Sequence, residues 1–167
     1  VLMNLEGFDR GRLEENFKGL SNKNFWIRYR FEQAASEVER RLSEFNISQA
    51  ATAVYHFIWN DFCDWFIEIA KPNLHPESPE RGATQEVLFH TLKDSMRLLH
   101  PFMPFITEEI WQRLKERAVD RQKWPPSLMV DSWPTPSRKE MDAEVEREFN
   151  LFQEAVTEIR NLRARFN

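Results

Sequence analysis

Two carboxylates and a thiol in the segment 59–68 are the first candidates for chemistry. Asp61 and Asp64 are three residues apart, which places them on neighbouring positions of one helix face, and Cys63 lies between them. Paired carboxylates can act as general acid and base, and a thiolate can act as a nucleophile. The surrounding residues are mostly aromatic and apolar and suggest no reactive pocket. We therefore expect the aspartates to pair with arginines or to cap backbone groups of adjacent helices, and Cys63 to be a small buried hydrophobic side chain.

The histidines show no pattern of a catalytic or metal site. They are scattered along the chain, at His56, His75, His90 and His100. The sequence also lacks the Cys-x-x-Cys and His-Glu-x-x-His spacings of metal sites and the Gly-x-x-x-x-Gly-Lys loop that holds phosphates. We predict that this chain alone has no catalytic residue, no metal site and no cofactor.

Cations and rings of the N-terminal segment 1–21 are the main candidates for nucleic-acid contact. Such contact needs cations for phosphates and flat side chains for unstacked bases. Glycines predict an irregular segment here, and a loop can present side chains that a packed helix must bury. We take Arg10 and Phe17 as the principal candidates, with Arg12 and Lys18 as support. The alternative is a solvated connector with an ordinary share of charge.

Three further cations lie on predicted helices. Lys71 ends the central helix shortly after Glu68, and Arg160 and Arg163 lie side by side on the last helix. Each is a candidate for contact with RNA phosphates. For Lys71 the alternative is a favourable interaction with the helix macrodipole, worth about 0.3–1 kcal/mol.

Composition sets limits on the class of protein. The 167 residues fit one domain with a substantial core, and a single cysteine allows no internal disulfide. No apolar run approaches the roughly 18 residues needed to cross a bilayer, so we expect a cytoplasmic protein without membrane contact. The net charge of −4 argues against RNA binding by the whole surface. It allows a local basic patch, because salt screens charges beyond about 8–10 Å. Since the chain begins with Val1, we also expect it to be a piece of a longer protein.

Apolar periodicity predicts an all-α fold, an antiparallel bundle of about five helices with an irregular proline-rich crossover. The first long helix is predicted from about Asn22 to Glu44. Its buried face is expected to comprise Phe31, Ala35, Val38, Leu42 and Phe45.

A central helix is predicted from residue 47 to Pro72, covered by neighbours on most sides. Asn46 with Gln49 resembles a capping box at its start, and Pro72 ends it. Steps of three and four predict one buried line: Ile47, Ala51, Val54, Ile58, Phe62, Trp65 and Ile69. Tyr55, Trp59 and Phe66 widen this line, so we expect Trp59 and Trp65 to be core residues rather than platforms for RNA bases.

Three further segments complete the predicted bundle. A helix capped by Ser78 runs to about His100 and buries Val87, Leu88, Leu92, Met96 and Leu99. After a break at Pro101 and Pro104, a helix over about 105–116 carries Ile106, Ile110, Trp111 and Leu114. The crossover includes a short extended piece, Ser127–Asp131. Ser137 and Glu140 cap the last helix, whose apolar residues are Val145, Phe149, Phe152, Val156, Ile159 and Leu162.

The predicted organisation is one domain over 1–167. It consists of the N-terminal segment 1–21, core helices over 22–117, the crossover 118–137 and the C-terminal helix 138–167.

Four sequence blocks carry a resemblance to one family. One of them is Trp59-Asn60-Asp61-Phe62-Cys63-Asp64-Trp65-Phe66-Ile67-Glu68, followed by Lys71-Pro72. It is similar to a signature of the valyl-tRNA synthetase family, within the helical anticodon-binding domain. The block 98–112 resembles versions found in the leucine, isoleucine, valine and methionine enzymes. Further matches at 154–164 and 4–8 extend the resemblance over nearly the whole chain.

This resemblance implies a function and partners. It implies binding of the anticodon stem-loop of tRNA(Val), with the segment 1–21 near the anticodon. It also implies attachment to a catalytic domain of the same polypeptide, which uses ATP with Mg²⁺; the His-Ile-Gly-His and Lys-Met-Ser-Lys-Ser motifs of such a domain are absent here. We expect a monomer. The alternatives are the equivalent domain of an isoleucyl- or leucyl-tRNA synthetase, and a helical docking module that binds no RNA.

Overall fold

The computed structural model describes Leu5 and residues 21–118, 121–136 and 143–166. The chain divides into two compact units, residues 1–137 and 138–167, and each is described by itself.

In the first unit, α1 is Asn22–Ser43. A continuous rod follows, made of α2 (Ile47–His56), a π-helix (Phe57–Phe66) and α3 (Ile67–Ala70). Then come a 3₁₀ turn (Lys71–Leu74), α4 (Arg81–Leu99) and α5 (Pro104–Arg117), and 3₁₀ turns at Arg121–Lys123 and Leu128–Val130. The second unit contains α6, Ala143–Phe166. The described residues contain no strand, and the predicted all-α bundle of about five helices is confirmed.

Helix α1 is held by one apolar face, largely as predicted. Phe31, Ala35 and Val38 are buried, together with Trp26 and Ile27. Phe45 was expected on this face, but it is 91 % exposed. Helix α1 ends at Ser43, and Phe45 has a φ of 57° in the turn to α2, so its side chain no longer follows the helical repeat.

The rod after α1 has a buried line different from the predicted one. The buried side chains are Ala50, Val54, Phe57, Phe62, Phe66 and Ala70. The step of five from Phe57 to Phe62 falls in the π-helix, whose wider turn keeps both rings on the same side. Periodicity based on the α-helix placed Ile47 in the core, and it is 63 % exposed.

Two predictions concern the ends of the rod: a capping box at its start and a stop at Pro72. The Asn46 side chain accepts a hydrogen bond from the backbone N–H of Gln49 at 3.4 Å, so the first half of the predicted capping box is confirmed. The Asn46 N–H donates to the Arg41 carbonyl at 2.8 Å and not to the Gln49 side chain. The α-helical part ends at Ala70, and Pro72 lies within the 3₁₀ turn that follows.

Trp59 was expected in the core, and this prediction is wrong. Its side chain is 55 % exposed and that of Tyr55 is 57 % exposed. The two rings stack on each other, with centroids 6.1 Å apart and planes 5° apart. Trp65 is half-buried.

Helix α4 is the most buried helix of the described residues. It buries the predicted Val87, Leu88, Leu92 and Met96, but Leu98 rather than Leu99. It begins at Arg81, not at Ser78. The Ser78 hydroxyl accepts from the Glu80 N–H at 3.3 Å, so this serine fixes the turn before the helix.

Helix α5 and the crossover pack through two indoles. Trp111 and Leu114 are buried as predicted, whereas Ile106 is 48 % exposed and Thr107 takes its place inside. The ring centroids of Trp111 and Trp124 lie 4.4 Å apart.

Glu108 accepts hydrogen bonds from the Ser127 hydroxyl at 3.0 Å and the Leu128 N–H at 2.9 Å, and so tethers the crossover to α5. The predicted extended piece Ser127–Asp131 is wrong, because Leu128–Val130 forms a 3₁₀ turn in which the Ser127 side chain caps the Met129 N–H.

Helix α6 is the helix of the second unit. Of its predicted apolar residues, Phe149 is buried and Val156 is half-buried, while Phe152, Ile159 and Leu162 are 45–58 % exposed. The predicted cap at Ser137 and Glu140 lies outside the described residues. The assignment of 1–167 to a single domain stays a prediction.

Candidate nucleic-acid interface

The principal predicted contact residues lie outside the described part of the chain. Arg10, Arg12, Phe17 and Lys18 all fall in the segment 6–20. Their assignment to RNA contact stays a prediction.

Lys71 lies at the start of the 3₁₀ turn that ends the central rod. Its Nζ is 2.6 Å from both carboxylate oxygens of Glu68. The two side chains are 57 % and 53 % exposed, so solvent screens this pair and a phosphate can compete with Glu68 for the ammonium group.

Arg160 and Arg163 are exposed on α6, three residues apart. Arg163 adjoins the apolar side chains of Ile159, Leu162 and Phe166, which line a shallow surface groove with it. Arg163 thus borders an apolar strip of the helix.

Asp61 of the signature segment pairs with an arginine of an adjacent helix, as predicted. Asp61 accepts from Arg30 Nε at 3.0 Å and from a terminal guanidinium nitrogen at 2.9 Å. Burial raises the pKa of Asp61 above its ordinary value, although the Arg30 charge opposes this shift. Arg30 also donates to Gln33 at 2.8 Å, which holds the guanidinium in place. The pair joins α1 to the rod. Asp64 is exposed.

Cys63 is half-buried. Burial raises the pKa of its thiol, and the nearby Asp64 charge raises it further. The thiol is therefore protonated near neutral pH and a poor nucleophile, as expected.

The described residues contain no group of three or more histidine, cysteine or acidic side chains placed to hold a metal ion. Within the same residues, no helix is long and apolar enough to cross a membrane.

Sequence reasoning missed a group of cations after α5. Arg117, Arg121 and Lys123, called here the α5 basic cluster, are all exposed. In contrast, six arginines of the same unit form ion pairs with carboxylates: Arg28, Arg30, Arg40, Arg41, Arg97 and Arg113. The run of alternating cations from Arg113 to Lys123 was the available signal, but a sequence does not tell which cations are paired.

Comparison with known proteins gives a consistent family. Residues 24–167 match the family model described as the anticodon-binding domain of tRNA ligase. The chain is 43 % identical over 154 residues to the valine–tRNA ligase of Symbiobacterium thermophilum, covering 84 % of this chain and 17 % of that protein. It is 40 % identical over 167 residues to that of Thermotoga maritima, covering all of this chain and 18 % of that protein. With that of Geobacter sulfurreducens it shares 42 % identity over 166 residues, again 18 % of that protein.

Proposed function

The chain belongs to the family of anticodon-binding domains of tRNA ligases, and from this premise we propose that it binds the anticodon stem-loop of tRNA(Val). The observation that carries the proposal is the family match over residues 24–167. Three relatives named as valine–tRNA ligases, at 40–43 % identity, support the choice of valine.

The proposed partner on the protein side is the rest of a ligase polypeptide. The chain spans about 18 % of the length of the relatives it matches. We assign aminoacylation, with ATP and Mg²⁺, to a catalytic domain outside this sequence. Binding energy from this domain then contributes to catalysis by placing the tRNA in register. A monomeric cytoplasmic protein and a single domain over 1–167 are parts of the same proposal.

The proposed contacts divide by chemistry. Arg10, Arg12 and Lys18 hold phosphates near the loop, where Phe17 stacks on an unpaired base; stacking is worth about 1–3 kcal/mol per base. Lys71 and the α6 arginines Arg160 and Arg163 add contacts to the backbone, which position the RNA but read no sequence. This assignment rests on residue chemistry and on the family, and the exposure of these three cations supports it.

Binding to two tRNAs tests the proposal. The chain is expected to bind tRNA(Val) more tightly than a version with an altered anticodon, measured by filter binding at low salt. Replacing Phe17 with Ala should weaken binding to tRNA(Val) about 5- to 150-fold, the equivalent of the loss of one stacked base. The control is Phe105→Ala, which removes a ring that is 91 % exposed on α5.

Equal affinity for both tRNAs would overturn anticodon reading. If the chain preferred an isoleucine or leucine tRNA in a competition experiment, it would be assigned to the corresponding ligase instead. An absence of RNA binding at low ionic strength would favour a docking module.

A further inference from the structure

We propose that the α5 basic cluster, Arg117, Arg121 and Lys123, is a second RNA contact that grips backbone phosphates of the tRNA outside the anticodon. This inference rests on the proposed function and adds a site to it. The juxtaposition that supports it is a set of three exposed cations mounted on a buried two-indole base.

The positive charges of the cluster are available to bind phosphates. All three side chains are exposed, and within the described part of the chain none has a carboxylate partner. Elsewhere in this unit, exposed guanidinium groups are paired; Arg40 contacts Glu37 and Glu44 at 2.8 Å, and Arg113 contacts Glu109 at 2.8 Å. An unpaired cation releases counterions from a polyanion without first giving up an internal partner.

The 3₁₀ turn Arg121–Lys123, which carries two of the three cations, is held by backbone hydrogen bonds. The N–H of Arg121 donates to the Ala118 carbonyl at 3.3 Å, and the N–H of Trp124 donates to the Arg121 carbonyl at 3.3 Å. Ala118 and Trp124 are 3 % and 7 % exposed, so the segment is anchored on both sides of the 3₁₀ turn. The buried anchors leave Arg121 and Lys123 on the outer surface.

Side chains of two helices tie this base down further. Lys93 Nζ lies 4.5 Å from the centroid of the Trp124 ring. Lys115 Nζ donates to the Pro125 carbonyl at 2.9 Å, and the Gln112 amide donates to the Pro126 carbonyl at 2.8 Å. Lys115 is therefore engaged in holding the crossover beside the 3₁₀ turn that carries Arg121 and Lys123.

A role at the helix end does not account for the whole cluster. Arg117 is the last residue of α5, where a cation interacts favourably with the macrodipole. Arg121 and Lys123 lie beyond the helix, and the macrodipole acts only within the last turn. Their exposure in a chain with net charge −4 instead creates the local positive field that phosphate binding requires. Glu116 is exposed next to Arg117, and Asp120 directly precedes Arg121 in the sequence. These two carboxylates weaken the field, and the three cations of the cluster outnumber them.

The expected contact carries no sequence information. The cluster presents charge and no exposed ring, so it suits phosphates rather than bases. Affinity lost with the cluster should therefore be lost equally for tRNAs with different anticodons.

The test compares two triple variants with the same change in net charge. The cluster variant is Arg117→Gln, Arg121→Gln and Lys123→Gln. The matched control is Arg40→Gln, Arg113→Gln and Arg147→Gln, in which each arginine is exposed and already paired. Thermal unfolding followed by circular dichroism checks that both remain folded.

The readout is affinity for tRNA(Val) and for its anticodon-altered version over a series of salt concentrations. The cluster variant should bind both RNAs at least about tenfold more weakly at low salt. Its slope of log K against log[salt] should be shallower than that of the wild type by about 2–3, close to one unit per lost phosphate contact. The control should stay within about half a unit of the wild-type slope.

Three outcomes would contradict the proposal, each in its own way. If the cluster variant and the control had equal slopes of log K against log[salt], the cluster would not contact RNA. The proposed anticodon binding would be unaffected by that result. Failure of the wild-type chain to bind any tRNA would overturn the proposed function and the cluster together. If polyglutamate bound the wild-type chain as tightly as tRNA, and only that binding were lost in the cluster variant, the site would belong to an acidic protein.

Discussion

At the scale of single residues, pairing decides what a charged side chain can do. Asp61 and Arg30 lie in the most recognisable part of the sequence, yet they serve to join α1 to the central rod. Arg117, at the end of α5, and Arg121 and Lys123, in the 3₁₀ turn that follows, are exposed and keep their charge available. The same residue types thus have opposite uses, because one set faces a partner helix and the other faces solvent.

Replacing Arg30 with Met should destabilise the bundle. The change leaves the Asp61 carboxylate, whose side chain is 14 % exposed, without its charged partner. We expect a loss of about 1–3 kcal/mol in the free energy of unfolding at pH 7, measured with urea. The loss should shrink as the pH falls and Asp61 becomes protonated. Arg40→Met, at an exposed and solvent-screened ion pair, should leave stability nearly unchanged, and an equal loss in both variants would contradict the role given to Arg30.

Glu108 should make the anchoring of the crossover pH-dependent. Burial raises the pKa of Glu108, but hydrogen bonds from Gln112, Leu128 and Ser127 outweigh burial and leave this pKa below its ordinary value. A carboxyl group of this kind stabilises the fold above its unfolded pKa, and that contribution is lost as the pH falls through the folded pKa.

The measurement for Glu108 is urea unfolding of the wild type and Glu108→Gln at pH 7 and near pH 3. The variant should be about 1–2 kcal/mol less stable at pH 7, because the acceptor loses its charge, and the difference should narrow at low pH. Glu109→Gln is the control, since Glu109 is exposed and forms a solvent-screened ion pair with Arg113. A difference that did not depend on pH would contradict the assignment.

At the scale of elements, regular helices were predictable from the sequence and departures from them were not. The faces of α1 and α4 follow the 3.6-residue repeat, so Phe31, Val38 and Leu88 could be placed in the core. The π-helix could not be foreseen, because apolar residues at both α and π spacing occur in 57–66 and only packing selects between them. Phe45 was misplaced for a similar reason, since a turn with positive φ has no apolar signature.

The corrected core line can be tested with a pair of truncations in the π-helix. Phe62 is 1 % exposed, and Phe62→Ala should cost about 3–5 kcal/mol through lost burial and a cavity. Trp59→Ala removes a larger ring that is 55 % exposed and should cost about 1 kcal/mol or less, mainly through lost stacking on Tyr55. Thermal or urea unfolding gives both values. A larger cost for Trp59 than for Phe62 would contradict the exposed position of Trp59 and restore its predicted place in the core.

At the scale of the whole molecule, the family and the fold could be predicted from the sequence, while the RNA contacts assigned to single residues stay predictions. Four ordered blocks indicated the anticodon-binding domain, and the match over 24–167 agrees with them. Lys71 and the pair Arg160 and Arg163 were placed correctly on helix ends and faces. The α5 basic cluster was missed because net charge and local runs do not reveal which cations have partners; that depends on contacts between helices far apart in sequence, such as Arg28 with Asp94.

The π-helix determines whether the rod can lose a residue without changing which of its side chains are buried. In a plain α-helix the five-residue step from Phe57 to Phe62 would overshoot a full turn by about 140°, and every inward ring after it would face the wrong way. With one residue fewer between these two phenylalanines, the intervals 4, 3, 4, 4 and 4 would fit an unbroken α repeat. Deletion of one residue between these two phenylalanines, Trp59 for example, would thus keep the same side chains inside. We expect such a deletion to turn the π-helical stretch into a plain α-helix with the same buried line.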